Sequence, residues 1–173
     1  DNRFEGGIVR VVASLQTSLF PEAELKRFEQ TSFCRSARGN RMGVPMESSG
    51  DGFRPDVART VVSEVIVPGD IQVTGDGTPY VLLAESQTIG GYPRIGTVVP
   101  CDLALLAQAA AGAELHFRFI PLEEAVELER AELERREGLR SRCVPLIRDP
   151  RTMTNLLSYQ LISGVIAREE DVL

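Results

Sequence analysis

Short runs rich in β-branched residues, most of them closed by glycine or proline, are the feature that most constrains this sequence. They lie at residues 8–13, 60–67, 70–73, 80–84, 95–99 and 114–120. In the last run, apolar residues at odd positions alternate with polar residues at even positions, as in a half-buried strand. So many short strands predict a mainly β protein, and a closed barrel would leave few exposed sheet edges.

Helix signals are fewer than strand signals. Pro21 followed by two glutamates predicts a short helix, because proline suits the first helical position and acidic groups suit the first turn. Asp102 is a candidate N-cap for a helix over residues 103–111, with Gly112 as its stop. We expect residues 34–56 to be loop with a short strand near 42–44, and residues 88–94 to be a glycine-containing loop.

The character of the chain changes at residue 121. Glutamate and arginine interleave with a narrow apolar stripe over residues 121–142, which predicts a long solvated helix. Leu157, Leu161 and Val165 then recur at helical spacing. We therefore divide the chain into a barrel domain at residues 1–120 and a helical C-terminal arm and tail at residues 121–173. The arm reads either as a surface helix or as a partner-binding helix.

Composition excludes several classes of function. Nineteen basic residues against 25 acidic ones give a net charge of −6, which argues against nucleic-acid binding. Three dispersed cysteines and one histidine argue against a metal site or a disulfide framework, and favour reduced thiols in a cytoplasmic protein. No apolar run approaches the length of a membrane span.

Common catalytic motifs are also missing from the sequence. The Gly75-x-Gly77 pair lacks the third glycine of a dinucleotide motif and reads as a hairpin turn. No phosphate-binding P-loop or nucleophile elbow occurs. His116 lies on the polar side of its strand, where a solvent-facing side chain is favoured over a general base. No catalytic residue is identified.

Two stretches remain as candidate sites, Asn40–Gly43 and Gln87–Arg94. In the second, paired glycines permit positive φ and bring backbone N–H groups close to a ligand. Gln87 and Thr88 offer neutral hydrogen bonds, and Arg94 can hold a carboxylate. This set suits a small carboxylate or amide substrate. The alternative is a shaped structural turn between two strands.

Four sequence blocks resemble the biotin-dependent carboxyltransferase family, also called allophanate hydrolase subunit 2 or KipA-like, which includes the C subunit of 5-oxoprolinase. The blocks are Asn-Arg-Met-Gly at 40–43, Ser-Glu-x-x-Val-Pro-Gly-x-Ile-Gln-Val at 63–73, Pro-Tyr-Val-Leu-Leu-Ala at 79–84 and Gln-Thr-x-Gly-Gly-Tyr-Pro-Arg-Ile at 87–95. The resemblance covers residues 8–125 and only the C-terminal half of the usual member. Asn40 replaces the family's usual aspartate, and Glu85-Ser86 replaces Asp-Arg.

The resemblance implies a cyclophilin-like β-barrel with short helices and places substrate binding in the matched blocks. The residues so implied are Asn40, Arg41, Met42, Gln72, Gln87, Thr88, Gly90, Gly91, Tyr92, Pro93 and Arg94. We expect the 40–42 and 87–94 segments to line one concave surface. Gly90-Gly91 would form a backbone nest for an oxyanion, and Arg94 or Arg41 would hold a carboxylate.

The resemblance also implies a component of a multi-subunit ATP-dependent 5-oxoprolinase, or of a urea amidolyase-type amidohydrolase or carboxyltransferase. Its partners would be KipI-like and LamB/YcsF-like subunits, with self-association or the family's N-terminal half completing the barrel pair. No cofactor is expected on this chain: ATP or carboxybiotin would come from partner subunits or domains. The alternative function is a non-catalytic regulator that binds a KipI-like kinase inhibitor.

Overall fold

The structure is a computed structural model that describes residues 4–56 and 63–143. The chain divides into two compact units, Asp1–Glu137 and Gly138–Leu173, and only residues 138–143 of the second are described. The strands are β1 (Gly6–Val12), β2 (Phe33–Arg35), β3 (Gly43–Glu47), β4 (Glu64–Val65), β5 (Asp70–Val73), β6 (Pro79–Leu82), β7 (Ile89–Gly90), β8 (Arg94–Val98) and β9 (Glu114–Phe119). The α-helices are α1 (Glu22–Gln30), α2 (Pro100–Gln108) and α3 (Leu122–Arg142), and Thr17–Leu19 forms a 3₁₀ turn.

Seven of the strands form a closed barrel. Their order is β1-β8-β5-β6-β3-β2-β9, and β9 closes the barrel by pairing in parallel with β1, whereas all other pairs are antiparallel. The two remaining strands, β4 and β7, form a separate two-stranded sheet. The expectation of a mainly β closed barrel with short helices and a C-terminal helix is therefore confirmed.

The core combines the barrel interior with an aromatic cluster under α1. Phe28 of α1 stacks on Phe117 of β9, with ring centroids 4.9 Å apart, and meets the rings of Phe33 and Phe53 at 5.2 and 5.4 Å. All four rings are buried. Phe53 reaches this cluster because its loop crosses the β5–β6 turn at Gly77, where φ is +88° and a Cβ would collide with Gly52.

Most of the elements expected from the sequence are present. The strands at 8–13, 95–99 and 114–120, the 70–84 hairpin, the helix after Pro21 and the long helix from residue 122 are all observed. Residues 60–62 of the 60–67 run and the helical spacing at 157–165 lie outside the described residues.

Three details of the expected secondary structure were wrong. Asp102 does not cap α2, which begins earlier at Pro100; its carboxylate instead accepts two 2.8 Å hydrogen bonds from the backbone N and Nε of Arg10. Residues 34–56 hold most of β2 in addition to the strand expected near 42–44, which is observed as β3, because pairing with β3 and β9 overrides the turn-rich composition. The 88–94 loop contains β7.

No helix among the described residues is both long enough and apolar enough to cross a membrane.

Candidate functional site

A cavity of about 410 Å³ lies on the outer face of β5 and β6. Strand alternation creates this face, because Ile71, Val73 and Val81 join the core while the even-numbered side chains point outward. The barrel and the segments beside it contribute Met42, Gln72, Thr74, Tyr80, Leu82, Ser86, Gln87 and Tyr92 to its lining.

The small β4–β7 sheet forms the opposite wall, and we call residues 63–67 and 88–91 the flap. Glu64 pairs with Gly90 and Val65 with Ile89, and the Ile66 amide donates a 3.1 Å hydrogen bond to the Thr88 carbonyl. The flap contributes Ser63, Ile66, Ile89, Gly90 and Gly91 to the lining. The cavity between barrel and flap is called the flap cavity below.

Gln72 is the buried polar group of the flap cavity. Its side chain is 6% exposed, and its Nε2 donates no hydrogen bond to any residue that the structure describes. The pairing of β5 with β8 shifts register between Ile71 and Gln72. Because buried amide groups are nearly always satisfied, an unpartnered donor on a residue that lines a cavity favours a ligand acceptor there.

Gly90 and Gly91 allow the flap backbone to lie close to neighbouring side chains, and they do not adopt unusual backbone angles. Neither has positive φ, although paired glycines permit it, and the backbone nest for an oxyanion stays a prediction. A Cβ at Gly90 would instead collide with Gln72 Nε2 and come within 2.9 Å of Ile66 Cδ1. Glycine therefore lets the flap backbone lie directly on the Gln72 amide.

The Asn40–Gly43 block shapes the cavity mouth. Asn40 Oδ1 accepts hydrogen bonds from the amides of Met42 (2.8 Å) and Gly43 (3.3 Å), which fixes the turn that places Met42 in the cavity wall. Aspartate offers the same acceptor oxygen, so the change to asparagine leaves this contact possible. Glycine suits position 43 because a Cβ there would collide with the Tyr80 ring, which also lines the cavity.

The two arginines expected to hold a carboxylate lie elsewhere. Arg41 is 84% exposed, pairs with Glu85 at 3.2 Å and lines a separate shallow groove beside α2. The Arg94 guanidinium is already bound by Glu64 and Asp70 and does not line the flap cavity.

The structure therefore brings six of the eleven expected residues into one cavity: Met42, Gln72, Gln87, Gly90, Gly91 and Tyr92. Asn40, Arg41, Thr88, Pro93 and Arg94 do not line it. Thr88 and Pro93 use their carbonyls to accept from Ile66 and Val73, respectively.

Sequence reasoning missed seven lining residues: Ser63, Ile66, Thr74, Tyr80, Leu82, Ser86 and Ile89. The signal for three of them was available, because strand alternation places Thr74, Tyr80 and Leu82 on the same face as Gln72.

The electrostatics of the flap cavity are neutral. None of the described residues that line it is charged, and no cluster of metal-ligating side chains occurs among the described residues. Burying an unpaired charge in such a site would be costly, so its lining suits an uncharged group that offers a hydrogen-bond acceptor. Amide, lactam and ureido groups meet this description. The thiol with a strongly shifted pKa lies outside the flap cavity. Burial and the contact with Glu129 raise the pKa of Cys101 to about 11.

Comparison with known proteins gives consistent results. The chain is 33% identical over 122 residues to the C subunit of 5-oxoprolinase from Escherichia coli (strain K12), and the match covers 70% of this chain and 39% of the relative. The chain thus spans about two fifths of that relative's length. Its fold resembles a solved structure of TTHA0988, with a TM-score of 0.53 and 32% identity over 66% of this chain and 21% of the other.

A second solved structure supports the fold alone. The urea carboxylase of Kluyveromyces lactis superposes with a TM-score of 0.68 at 18% identity, over 75% of this chain and 12% of the other. The family model described as carboxyltransferase domain, subdomain A and B, matches residues 2–119. That match includes the whole barrel and the flap, and the chain belongs to this carboxyltransferase-domain family.

Proposed function

We propose that this chain is a component of a multi-subunit, ATP-dependent amidohydrolase of the 5-oxoprolinase type, and that it binds a small amide-bearing substrate in the flap cavity. The observation that carries the proposal is Gln72 Nε2, a buried and unpartnered donor in an uncharged cavity of the described residues. The similarity to the 5-oxoprolinase component of Escherichia coli supplies the reaction class.

The amide carbonyl of the substrate is the group that Gln72 would recognise, and a carboxylate such as that of 5-oxoproline would have to stay outside the uncharged lining. A donor held in place before the ligand arrives strengthens its hydrogen bond as charge develops on that carbonyl oxygen. Gly90 presses on the same amide and would restrict its rotation. In this proposal, Gln72 orients and polarises the amide carbonyl, while no residue of the cavity is assigned as nucleophile or base.

ATP does not fit the flap cavity, because no cationic side chain of the described residues lines it to offset the phosphate charge. We therefore assign ATP to KipI-like or LamB/YcsF-like partner subunits. The neutral ureido carbonyl of a biotin ring meets the requirement of the cavity, with Gln72 as the residue that would hold it, whereas the carboxylate that carboxybiotin carries would have to stay outside the uncharged lining. When bound, that group supplies an activated carboxyl group. A carboxyltransferase reaction would use the same flap cavity.

The test is reconstitution. The chain is co-expressed with KipI-like and LamB/YcsF-like subunits of its own source, and glutamate formation from 5-oxoproline and ATP is measured for each combination. We expect turnover only when the chain and its partners are all present, and none from the isolated chain. Equal turnover by the partners without this chain, or robust turnover by the chain alone, would contradict the proposal.

A regulatory role is the second candidate, and the apolar surface around the cavity mouth favours it. Val65, Ile89 and Tyr92 are exposed large apolar side chains there, as expected of a protein-docking surface. A regulator of a KipI-like kinase inhibitor would bind that protein and change kinase activity without turnover. This role would be favoured if the chain co-purifies with a KipI-like protein and the reconstituted mixture hydrolyses no amide.

A further inference from the structure

One guanidinium joins the flap to the barrel. Arg94 of β8 donates from one terminal nitrogen to Glu64 Oε2 at 2.6 Å, and from the other to the Val65 carbonyl at 3.2 Å and to Asp70 Oδ2 at 3.1 Å. Glu64 and Val65 form β4 of the flap, whereas Asp70 begins β5 of the barrel. Arg94 therefore bridges the two walls of the flap cavity without lining the cavity itself.

Gln16, which lies between β1 and the 3₁₀ turn, supports this bridge. Gln16 donates from Nε2 to Glu64 Oε2 at 2.9 Å and accepts at Oε1 from the Arg94 amide at 3.0 Å. Asp70 is only 1% exposed and also accepts from Thr97 Oγ1 at 2.7 Å and from the Val67 amide at 3.0 Å. The carboxylates on either side of Arg94 are thus held in place by other groups.

None of these bridging side chains lines the flap cavity, although the flap that they hold supplies five of its lining residues. We propose that Arg94 is a positioning residue, and that its contact with Glu64 fixes the flap against the Gln72 amide. This inference rests on the proposed function. It replaces the expectation that Arg94 binds a substrate carboxylate, because its side chain is 12% exposed and both terminal nitrogens are occupied.

The contact is best tested from the Glu64 side. Replacing Arg94 would leave the buried Asp70 carboxylate unpaired and would threaten the fold. Glu64→Ala removes the flap carboxylate that Arg94 and Gln16 share, and leaves Arg94 on Asp70 and on the Val65 carbonyl. Glu47→Ala is the matched control, because Glu47 is 50% exposed, Glu64 is 46% exposed, and Glu47 is paired with Arg38 away from the flap.

Hydrogen–deuterium exchange of the isolated chain reads out the flap directly. We expect Glu64→Ala to speed exchange of residues 63–67 and 88–91 about fivefold, as loss of a partly exposed ion pair allows, and Glu47→Ala to leave them unchanged. Glu64→Gln, which keeps one acceptor oxygen, should fall between. Raising NaCl to about 1 M should speed flap exchange in the wild type and not in Glu64→Ala, because salt screens the charge pair.

The reconstituted assembly then tests the link to the site. Glu64→Ala should raise the KM for 5-oxoproline about fivefold with little change in kcat, because the cavity wall is loosened and not removed. Unchanged flap exchange in Glu64→Ala would overturn the positioning role, and so would faster exchange with an unchanged KM. An assembly that is inactive even with the wild-type chain would contradict the proposed function, while the exchange data would still decide whether Arg94 holds the flap.

Discussion

Gly90 and Gln72 constrain each other at the wall of the flap cavity. A Cβ at Gly90 would collide with Gln72 Nε2, so the Gln72 and Ile66 side chains would have to shift, whereas a Cβ at Gly91 would lie 3.3 Å from Ser63 Oγ. The two neighbouring glycines therefore have different tolerances, although neither needs positive φ. The difference in tolerance between Gly90 and Gly91 depends on tertiary contacts, so it cannot be predicted from the Gly-Gly dipeptide alone.

We expect Gly90→Ala to destabilise the chain by about 1–3 kcal/mol, because the added methyl overpacks the Gln72 and Ile66 side chains. Gly91→Ala is the matched control and should cost less than about 1 kcal/mol, since Ser63 can rotate away. Urea unfolding of both variants measures the difference in the free energy of unfolding. Equal effects at the two positions would show that the flap does not rest on Gln72.

At the scale of elements, α3 is attached to the barrel near its start and is held along its length by ion pairs. Glu129 accepts a hydrogen bond from the Cys101 amide at the N-terminus of α2, where the helix dipole favours a carboxylate. Further along, Glu132 accepts hydrogen bonds from Arg135 and Arg136 at 2.6–2.7 Å. These i,i+3 and i,i+4 contacts match the helix that the charge pattern predicts over residues 121–142.

The Glu132 pairs give α3 a defined acid response. Hydrogen bonds from Arg135 and Arg136 lower the pKa of Glu132 to about 2. Because the folded pKa lies below the ordinary value of 4.5, this carboxylate stabilises the folded helix above pH 4.5 and loses that effect as the pH falls toward 2. A carboxyl NMR titration should place the pKa of Glu132 well below 4.5, and Arg135→Gln should raise it. Titration of Glu132 at its ordinary value would contradict the pairing.

The elements that the sequence predicts best are those with a strong local pattern. Alternation at residues 114–120 and the charge spacing of α3 both appear as expected, because one face or one helix surface determines them. β2 and β7 escaped prediction because pairing across the barrel or the flap creates them, whereas β3 matches the short strand expected near 42–44. Asp102 has the residue type of an N-cap, but its carboxylate binds Arg10, 92 positions away in the chain.

At the scale of the whole molecule, distant sequence blocks meet at one cavity. Met42, Gln72 and Tyr92 converge there through the barrel order, which places β8, β5, β6 and β3 side by side. The matched blocks therefore supply residues to one candidate cavity. They did not distinguish residues that face the cavity from residues such as Arg94 that hold it together, since both kinds lie in the same blocks.

In the proposed function, the Gln72 amide binds a ligand and does not stabilise the fold. Gln72→Leu keeps the volume and removes the unpartnered buried donor, so the free energy of unfolding should be unchanged or higher, because burying an unsatisfied amide is unfavourable. In the reconstituted assembly, the same variant should lower kcat/KM at least about tenfold, which corresponds to losing about 1.4 kcal/mol of transition-state stabilisation. Gln108→Leu, on the exposed side of α2, serves as the control.

Unfolding and turnover of Gln72→Leu, measured together, test this central claim most directly. We expect a chain that is at least as stable as the wild type and an assembly that is strongly impaired. A variant that loses several kcal/mol of stability, or one that supports wild-type turnover, would contradict the assignment of Gln72 to a ligand.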